Sequence, residues 1–517
     1  MSASEKQFED LRRMIHCLDK PRYDHFMRCL QLPANGVPPA KSIGIVSFLK
    51  KNKDAGMQET FLANYKGSNK STFMKQVIRI KEKLFSSILD DENIHRSGSY
   101  TACTRAIIEV RKNTMIAKLF PSLTFEGNLL AFLNRNIAKA KKFELFDELI
   151  ELLNYKYQYV ASRYGIPKSK AIAIEIDYIN ATKSATMIAM RYDFLYTGIV
   201  NSQSTFSKKM LDLNSIICEL ESYSHKFHSA ILEFYLIKFR INNMLHQRDF
   251  HQANEMLKSL FDFKNKNHEI INSGIMVSID LILAQINLFN YKFSEALICI
   301  SRAKTIKGTS LFNAMLISLI EFNHWFYLGI IDLSKKISSK LTLDSASYQA
   351  NYFKNLFSVL KSILLFLDRN YRETNKLLTD LPEFEKDKAG WNLGVRLLRI
   401  MNFIEMDKLD TAELHIESMR KHIERTEKSG IKVRKRDKTI LKILIELVKQ
   451  DFNFQKTLAK KADLIALLGS TEFEYCWEMM KHEMIVFHVW FKAKAEGKEY
   501  DPNILNHPKE VVVIGNS

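Results

Sequence analysis

The chain has 517 residues and a formal net charge of +18 at pH 7, and 46% of its residues are hydrophobic. Glycine (17 residues) and proline (9 residues) are scarce, so the composition argues against an all-β fold, which needs frequent turns. The length accommodates several domains or one extended solenoid, and the positive charge favours acidic partners without proving that they are nucleic acids.

Residues 1–120 are predicted to form a small, basic, helical unit. A proline-containing loop (LPANGVPPA, 32–40) and a polar break (HRSGSY, 95–100) delimit its central part. The best-defined helix has apolar residues at intervals of three and four, and Asn69 or Ser71 offers an N-cap. The expected helices cover 42–51, 57–65 and 71–90. This unit either caps the rest of the chain or docks on a partner.

Helical apolar spacing continues through 128–164, where two stripes are separated near Lys141 and Lys142. From residue 250 onward a short pattern recurs, in which a bulky residue precedes a small one by three and an apolar residue follows about four later. Its copies are Phe250/Ala253/Leu257, Phe293/Ala296/Ile300, Ile331/Ser334, Tyr371/Thr374/Leu378, Leu409/Ala412/Ile416 and Phe452/Gln455. A repeat of about 40 residues predicts stacked helical hairpins, about six in number.

The pairs Phe250/Ala253, Phe293/Ala296 and Leu409/Ala412 resemble the second helix of a tetratricopeptide (TPR) repeat. The spacing is longer than the roughly 34 residues of that family, and its first-helix tryptophan, glycine and tyrosine are mostly absent. The resemblance implies an all-α fold, an α-α superhelix over 121–496 behind the N-terminal unit. It also implies a partner-binding concave face made by the first helices. Alignment on the pattern places four residues on that face: His228, Tyr235, Lys238 and Ser278.

Sequence signatures of catalysis and of cofactor binding are missing. The chain has neither a G-x-x-x-x-G-K-[ST] nor a G-x-G-x-x-G phosphate loop, and no G-x-S-x-G nucleophile motif. His482, Glu483 and His488 resemble the start of a zincin motif, but the spacing of six puts the two histidines on different helix faces. We therefore expect a non-catalytic scaffold or regulator without cofactor or metal.

Two basic clusters allow a second interpretation, in which the protein contacts nucleic-acid phosphates. Lys75, Arg79 and Lys83 form a stripe at i, i+4 and i+8 on the predicted helix 71–90. The second cluster lies in GIKVRKRDKTILK and contains Arg434, Lys435 and Arg436. The simpler interpretations are a solvated helix face and a solvated turn between repeats. The alternative is that both clusters bind phosphate.

The region 310–333 is apolar but is interrupted by Asn313, Glu321 and His324, which favours a buried helix over a membrane span. The six cysteines are scattered and form no CxxC pair, as in reduced proteins of the cytosol. A cytoplasmic protein that does not enter a membrane is expected. The tail 497–517 contains two prolines and is predicted to be non-helical, and its VVVI run packs as a cap, occupies the groove or pairs with a partner.

Overall fold

The computed structural model describes residues 2–18, 20–31, 40–64, 69–89, 100–119, 129–202, 212–247, 249–306, 309–340, 348–384 and 387–507. Within these ranges the regular structure is helical and includes no β-strand, which confirms the all-α class. The loop 33–39, most of the 95–100 break and the VVVI run lie outside the described residues. No described helix is long and apolar enough to cross a membrane.

The chain divides into two compact units, residues 1–119 and 120–517. The helices of the first unit are α1 (Ala3–Cys17), α2 (Lys20–Gln31), α3 (Ala40–Lys51), α4 (Met57–Asn64), α5 (Lys70–Leu89) and α6 (Ala102–Leu119). The three helices expected here are therefore confirmed as α3, α4 and α5. The side chain of Asn69 accepts a hydrogen bond from the Ser71 N–H (2.9 Å), so Asn69 is the capping residue. One face of α5 packs Phe73, Val77 and Ile80 into the core of this unit.

The second unit begins with four helices and continues with six successive helical hairpins. The first four are α7 (Leu129–Lys142), α8 (Phe146–Tyr164), α9 (Ile166–Ser202) and α10 (Leu213–Lys226). The first three hairpins are α11 (Ala230–Gln247) with α12 (Phe250–Asn267), α13 (Ser273–Phe289) with α14 (Phe293–Thr305), and α15 (Leu311–Tyr327) with α16 (Ile331–Lys340). The next three are α17 (Tyr348–Leu367) with α18 (Tyr371–Thr379), α19 (Trp391–Glu405) with α20 (Leu409–Lys428), and α21 (Lys435–Lys449) with α22 (Phe454–Lys460). They are followed by α23 (Ala462–Leu468) and α24 (Phe487–Ala495). The tail predicted to be non-helical contains a short 3-10 turn (Ile504–Asn506).

The recurring sequence pattern marks the start of the second helix in each hairpin. Its small residue is completely buried in five of the expected copies, where it lets the two helices approach closely: Ala253, Ala296, Ser334, Thr374 and Ala412. The Ser334 hydroxyl donates to the Phe322 carbonyl oxygen of the preceding helix (3.3 Å). The sixth expected copy was wrong by two residues, because Phe452 lies in the turn and Gln455 is exposed. The buried small residue there is Thr457, and the side chain of Phe250 lies outside the description.

The turns inside the hairpins share a left-handed residue two positions before the second helix. In five of the six hairpins the residues with positive φ at this place are Tyr291, Gly329, Arg369, Asp407 and Phe452, and Glu144 has the same conformation between α7 and α8. In most of these turns the next N–H donates to the carbonyl five residues earlier, for example Lys292 to Asn287 (2.8 Å) and Lys408 to Phe403 (3.0 Å). This is the hydrogen bond of a Schellman motif, which ends one helix and starts the next within three residues. The turn of this kind at Gly329 divides the apolar region 310–333, which was expected to be one buried helix, into α15 and α16.

Candidate functional site

The C-terminal segment, residues 470–507, lies against the first helices of several hairpins. Three backbone carbonyls of the segment accept hydrogen bonds from the start of α21. Glu474 O accepts from the Arg436 N–H (3.0 Å), Tyr475 O from Arg436 Nη1 (2.6 Å) and Cys476 O from Arg434 Nη2 (3.1 Å). On α15, the Tyr327 hydroxyl oxygen accepts from the Met480 N–H (2.8 Å). Residues 474–480 are thus held through their backbone, as a bound peptide would be.

The same segment contacts α19 along its length. A Cβ atom on Gly394 would lie 2.4 Å from the His482 carbonyl oxygen, so only glycine permits this approach. At the other end of α19, the Glu405 carboxylate accepts from Trp490 Nε1 (2.8 Å) and pairs with Lys494 (3.1 Å). The segment therefore contacts α19 at both ends, the start of α21 and the last residue of α15, Tyr327.

Apolar side chains of residues 470–507 are buried in the core and hold the segment in place. Nine side chains of the segment belong to the core of the second unit, namely Met479, Met484, Ile485, Val486, Phe487, Val489, Trp490, Phe491 and Ile504. Full burial of one such side chain contributes about 1.5–3 kcal/mol. The segment therefore completes the fold, and its release would expose a large part of the core.

A buried polar network joins the segment to α21. Arg436 Nε and Nη2 contact the two carboxylate oxygens of Glu483 (2.5 and 2.7 Å), and Nη1 also donates to the Leu468 carbonyl oxygen (2.6 Å). Burial alone would raise the pKa of Glu483, but the Arg436 guanidinium outweighs it and lowers that pKa. Next to this pair, His482 Nε2 lies 3.1 Å from Asp437 Oδ1. The residues of the incomplete zincin motif thus serve as structural partners of α21.

The basic cluster at the start of α21 is neutralised by the segment. Arg434 pairs with Glu478 (3.0 Å), and Lys435 pairs with Glu474. The expectation that Arg436 contacts phosphate is corrected, because this residue has no exposed surface and its guanidinium pairs with the buried Glu483. The interpretation as a solvated turn fits Lys432 and Lys435, which are exposed, but not Arg436.

The four residues expected on a partner-binding face are in different environments. His228 is exposed before α11, and its backbone N–H donates to the Tyr178 hydroxyl oxygen (3.3 Å). Tyr235 is buried, which raises the pKa of its hydroxyl, so this residue belongs to the core and not to an open face. Lys238 pairs with Asp193 of α9 (2.7 Å), which covers this side of α11. Ser278 lies half-buried on α13.

In the first unit, the basic stripe of α5 is presented to solvent. Lys75 and Arg79 are exposed, and Lys83 is half-buried on the same side. Lys81, which is not part of the stripe, pairs with Asp10 of α1 (3.2 Å) and helps to hold α5 in place. Residues 1–119 contain 21 lysines and arginines against 12 aspartates and glutamates, a net charge of +9. Lys75 and Arg79 therefore expose positive charge on one side of α5.

Among the described residues, no group of three or more His, Cys, Asp or Glu side chains has the arrangement of a metal site. Comparison of the chain with protein-family models, curated proteins and solved structures finds no match. Sequence reasoning missed the coverage of the first helices by residues 470–507. One signal was present, because glutamates recur at 472, 474, 478 and 483, opposite in charge to the basic cluster at 432–442.

Proposed function

We propose that this chain is a TPR-like helical-repeat protein, an α-α superhelix, that acts without catalysis as a scaffold or regulator and binds a protein or peptide partner. One observation carries the proposal. Tyr327, Arg434 and Arg436 bind backbone groups of residues 474–480, which supports a surface whose side chains can bind the backbone of a peptide.

The partner would bind where the protein's own segment does not. The segment contacts α19, the start of α21 and the end of α15, and α9 covers α11 at Lys238. On α13, Ser278 and Gln285 are seven residues apart, therefore on the same side of the helix, and neither is fully buried. We propose that the partner peptide binds at this side of α13.

Site-specific photo-crosslinking tests this placement. A photoreactive amino acid at Ser278 is expected to crosslink a partner in cell extract, whereas the same group at Ile298, exposed on the second helix α14, is not. The crosslinked product is identified by mass spectrometry. Equal crosslinking at both positions, or crosslinking only at Ile298, would contradict the peptide-binding role of the first helices.

A second function, contact with nucleic-acid phosphates, is favoured by the exposed Lys75 and Arg79 in a unit of net charge +9. The test is retention on DNA and RNA at increasing salt. The double variant Lys75→Glu/Arg79→Glu is expected to abolish retention, and the control Lys112→Glu/Lys118→Glu, exposed on α6, keeps most of it. Absence of retention at low salt would rule this function out.

A further inference from the structure

A surface pocket of about 330 Å³ lies between α19 and α20. The α20 residues that line it share one helix face, because they recur at intervals of three and four: Leu414, Glu417, Ser418, Lys421, His422 and Arg425. The pocket does not include any residue of the C-terminal segment. It is independent of the peptide site on α13 and of the proposed function.

Helix α19 contributes two arginines to this region. Every residue from Trp391 to Ile404 is buried except Arg396 and Arg399, which lie three positions apart on one side. Arg396 lines the pocket and is positioned by Glu383 (3.0 Å) and the Ser418 hydroxyl (3.3 Å). Arg399 is half-buried, and its Nε has no hydrogen-bond partner among the described residues. Of these two arginines only Arg396 lines the pocket, and Arg399 Nη2 donates to the Leu378 carbonyl oxygen.

The basic side chains in and next to the pocket outnumber the carboxylates that pair with them. Glu417 is shared between Arg420 (2.7 Å) and Lys421 (3.5 Å). Arg425 is exposed, and its guanidinium makes no ion pair or hydrogen bond with the residues that the structure describes. The pKa of His422 is lowered, first by burial and also by the charges of Arg396 and Arg425. That shift agrees with an excess of positive charge around the pocket.

We propose that this pocket binds a phosphate dianion between Arg396, Lys421 and Arg425, with the Ser418 hydroxyl as an additional donor. Guanidinium groups bind phosphate oxygens in pairs, and three cations that line one pocket with a single carboxylate, Glu417, favour a dianion over a singly charged group. The volume is sufficient for one phosphate-bearing group but not for a helix. The group belongs either to a phosphorylated side chain or to a free phosphate.

Calorimetric titration of the full chain at low ionic strength tests the proposal. The probes are inorganic phosphate, a five-residue peptide with a central phosphoserine, and the same peptide with unmodified serine. Saturable binding of phosphate or of the phosphopeptide, and not of the serine peptide, is expected. Affinity for the phosphopeptide at least about tenfold above that for phosphate identifies a protein-borne group, and equal affinity identifies free phosphate.

Charge-neutral variants localise the site. Arg425→Gln and Lys421→Gln are each expected to raise the Kd about tenfold, since each removes one charge-assisted contact. Lys428→Gln, which removes an exposed charge from the last turn of α20 outside the pocket, is expected to change the Kd less than about twofold. Circular dichroism verifies that each variant is folded. If Arg425→Gln is misfolded, the Kd of Lys421→Gln alone tests the site. Absence of saturable binding, or equal effects of pocket and control variants, would overturn the proposal.

Discussion

Arg436 and Glu483 are 47 residues apart in the chain and form a two-point ion pair that is closed to solvent. The pair joins the first turn of α21 to the C-terminal segment. Two further donations, from Arg436 to the carbonyl oxygens of Leu468 and Tyr475 (both 2.6 Å), use the remaining guanidinium hydrogens on that side. Such full satisfaction is the condition under which a buried charge is tolerated.

Removal of one partner from this pair should be strongly destabilising. Glu483→Gln leaves the Arg436 charge buried without compensation, and we expect the free energy of unfolding to fall by about 3–5 kcal/mol. The control Glu427→Gln breaks the half-exposed pair with Lys438 and should cost less than about 1 kcal/mol. Urea denaturation followed by circular dichroism measures both values. Similar losses in the two variants would show that burial of the Arg436 pair has no special role.

The buried His324 should make the fold sensitive to acid. Burial lowers the pKa of this side chain from 6.5 to about 4, and both ring nitrogens lack partners among the described residues. Because the folded-state pKa is the lower one, the neutral ring stabilises the fold above pH 6.5, and that contribution is lost as the pH falls towards 4. This lowering of the His324 pKa corresponds to roughly 3 kcal/mol in the free energy of unfolding.

The variant His324→Leu keeps an apolar side chain of similar size, so its free energy of unfolding should depend less on pH between 6.5 and 4 than that of the unchanged protein. Denaturant titrations at several pH values measure this slope. The exposed His251 supplies the control, since His251→Gln should leave the slope unchanged. An unchanged slope in His324→Leu would mean that other groups cause the acid sensitivity.

The hairpins could be predicted from the sequence because their signal is local. A bulky residue and a small one three positions later, such as Tyr371 and Thr374, meet on one side of a helix start, and no distant contact is needed to recognise them. The turns were not predictable in the same way. Tyr291, Arg369 and Asp407 adopt a left-handed conformation that favours glycine, and only the hydrogen bonds of the folded turn hold them there.

The candidate site could not be predicted from the sequence, because it is formed by contacts between residues that are distant in the chain. Nothing near Arg436 in the sequence indicates that it is buried, because its partner Glu483 follows only after two more helices and an irregular stretch. Tyr235 was placed on an open face for a similar reason. Its position on α11 was correct, but the sequence did not reveal that Asp193 of α9 lies against that side of the helix.

The small residue at each second-helix start should tolerate no enlargement. Ala296 is fully buried between α13 and α14, so Ala296→Leu forces the two helices apart and should cost about 1–3 kcal/mol or more. The neighbouring Glu295 is exposed, and Glu295→Leu should change the free energy of unfolding by less than about 0.5 kcal/mol. Thermal or urea unfolding compares the two. Equal effects would mean that the helices are not in close contact at Ala296.

Gly329 connects the repeated turn to the C-terminal segment. Its φ is +72°, and a Cβ atom added there would lie 2.9 Å from the Asn503 Cβ. Gly329→Ala should therefore destabilise the protein by about 2 kcal/mol, through backbone strain and through this contact. Asp407→Ala introduces the same residue at the equivalent turn position, where φ is already +55° in a non-glycine residue, and should cost far less.

The two contributions at Gly329 are separated by adding Asn503→Gly to Gly329→Ala, because that change removes the colliding Cβ and leaves the backbone strain. A partial recovery of the free energy of unfolding, measured against Asn503→Gly alone, is expected. If nothing is recovered, the left-handed backbone accounts for the whole loss, and residues 500–507 do not press on this turn. Recovery would establish that residues 500–507 of the C-terminal segment pack against the α15–α16 turn in solution.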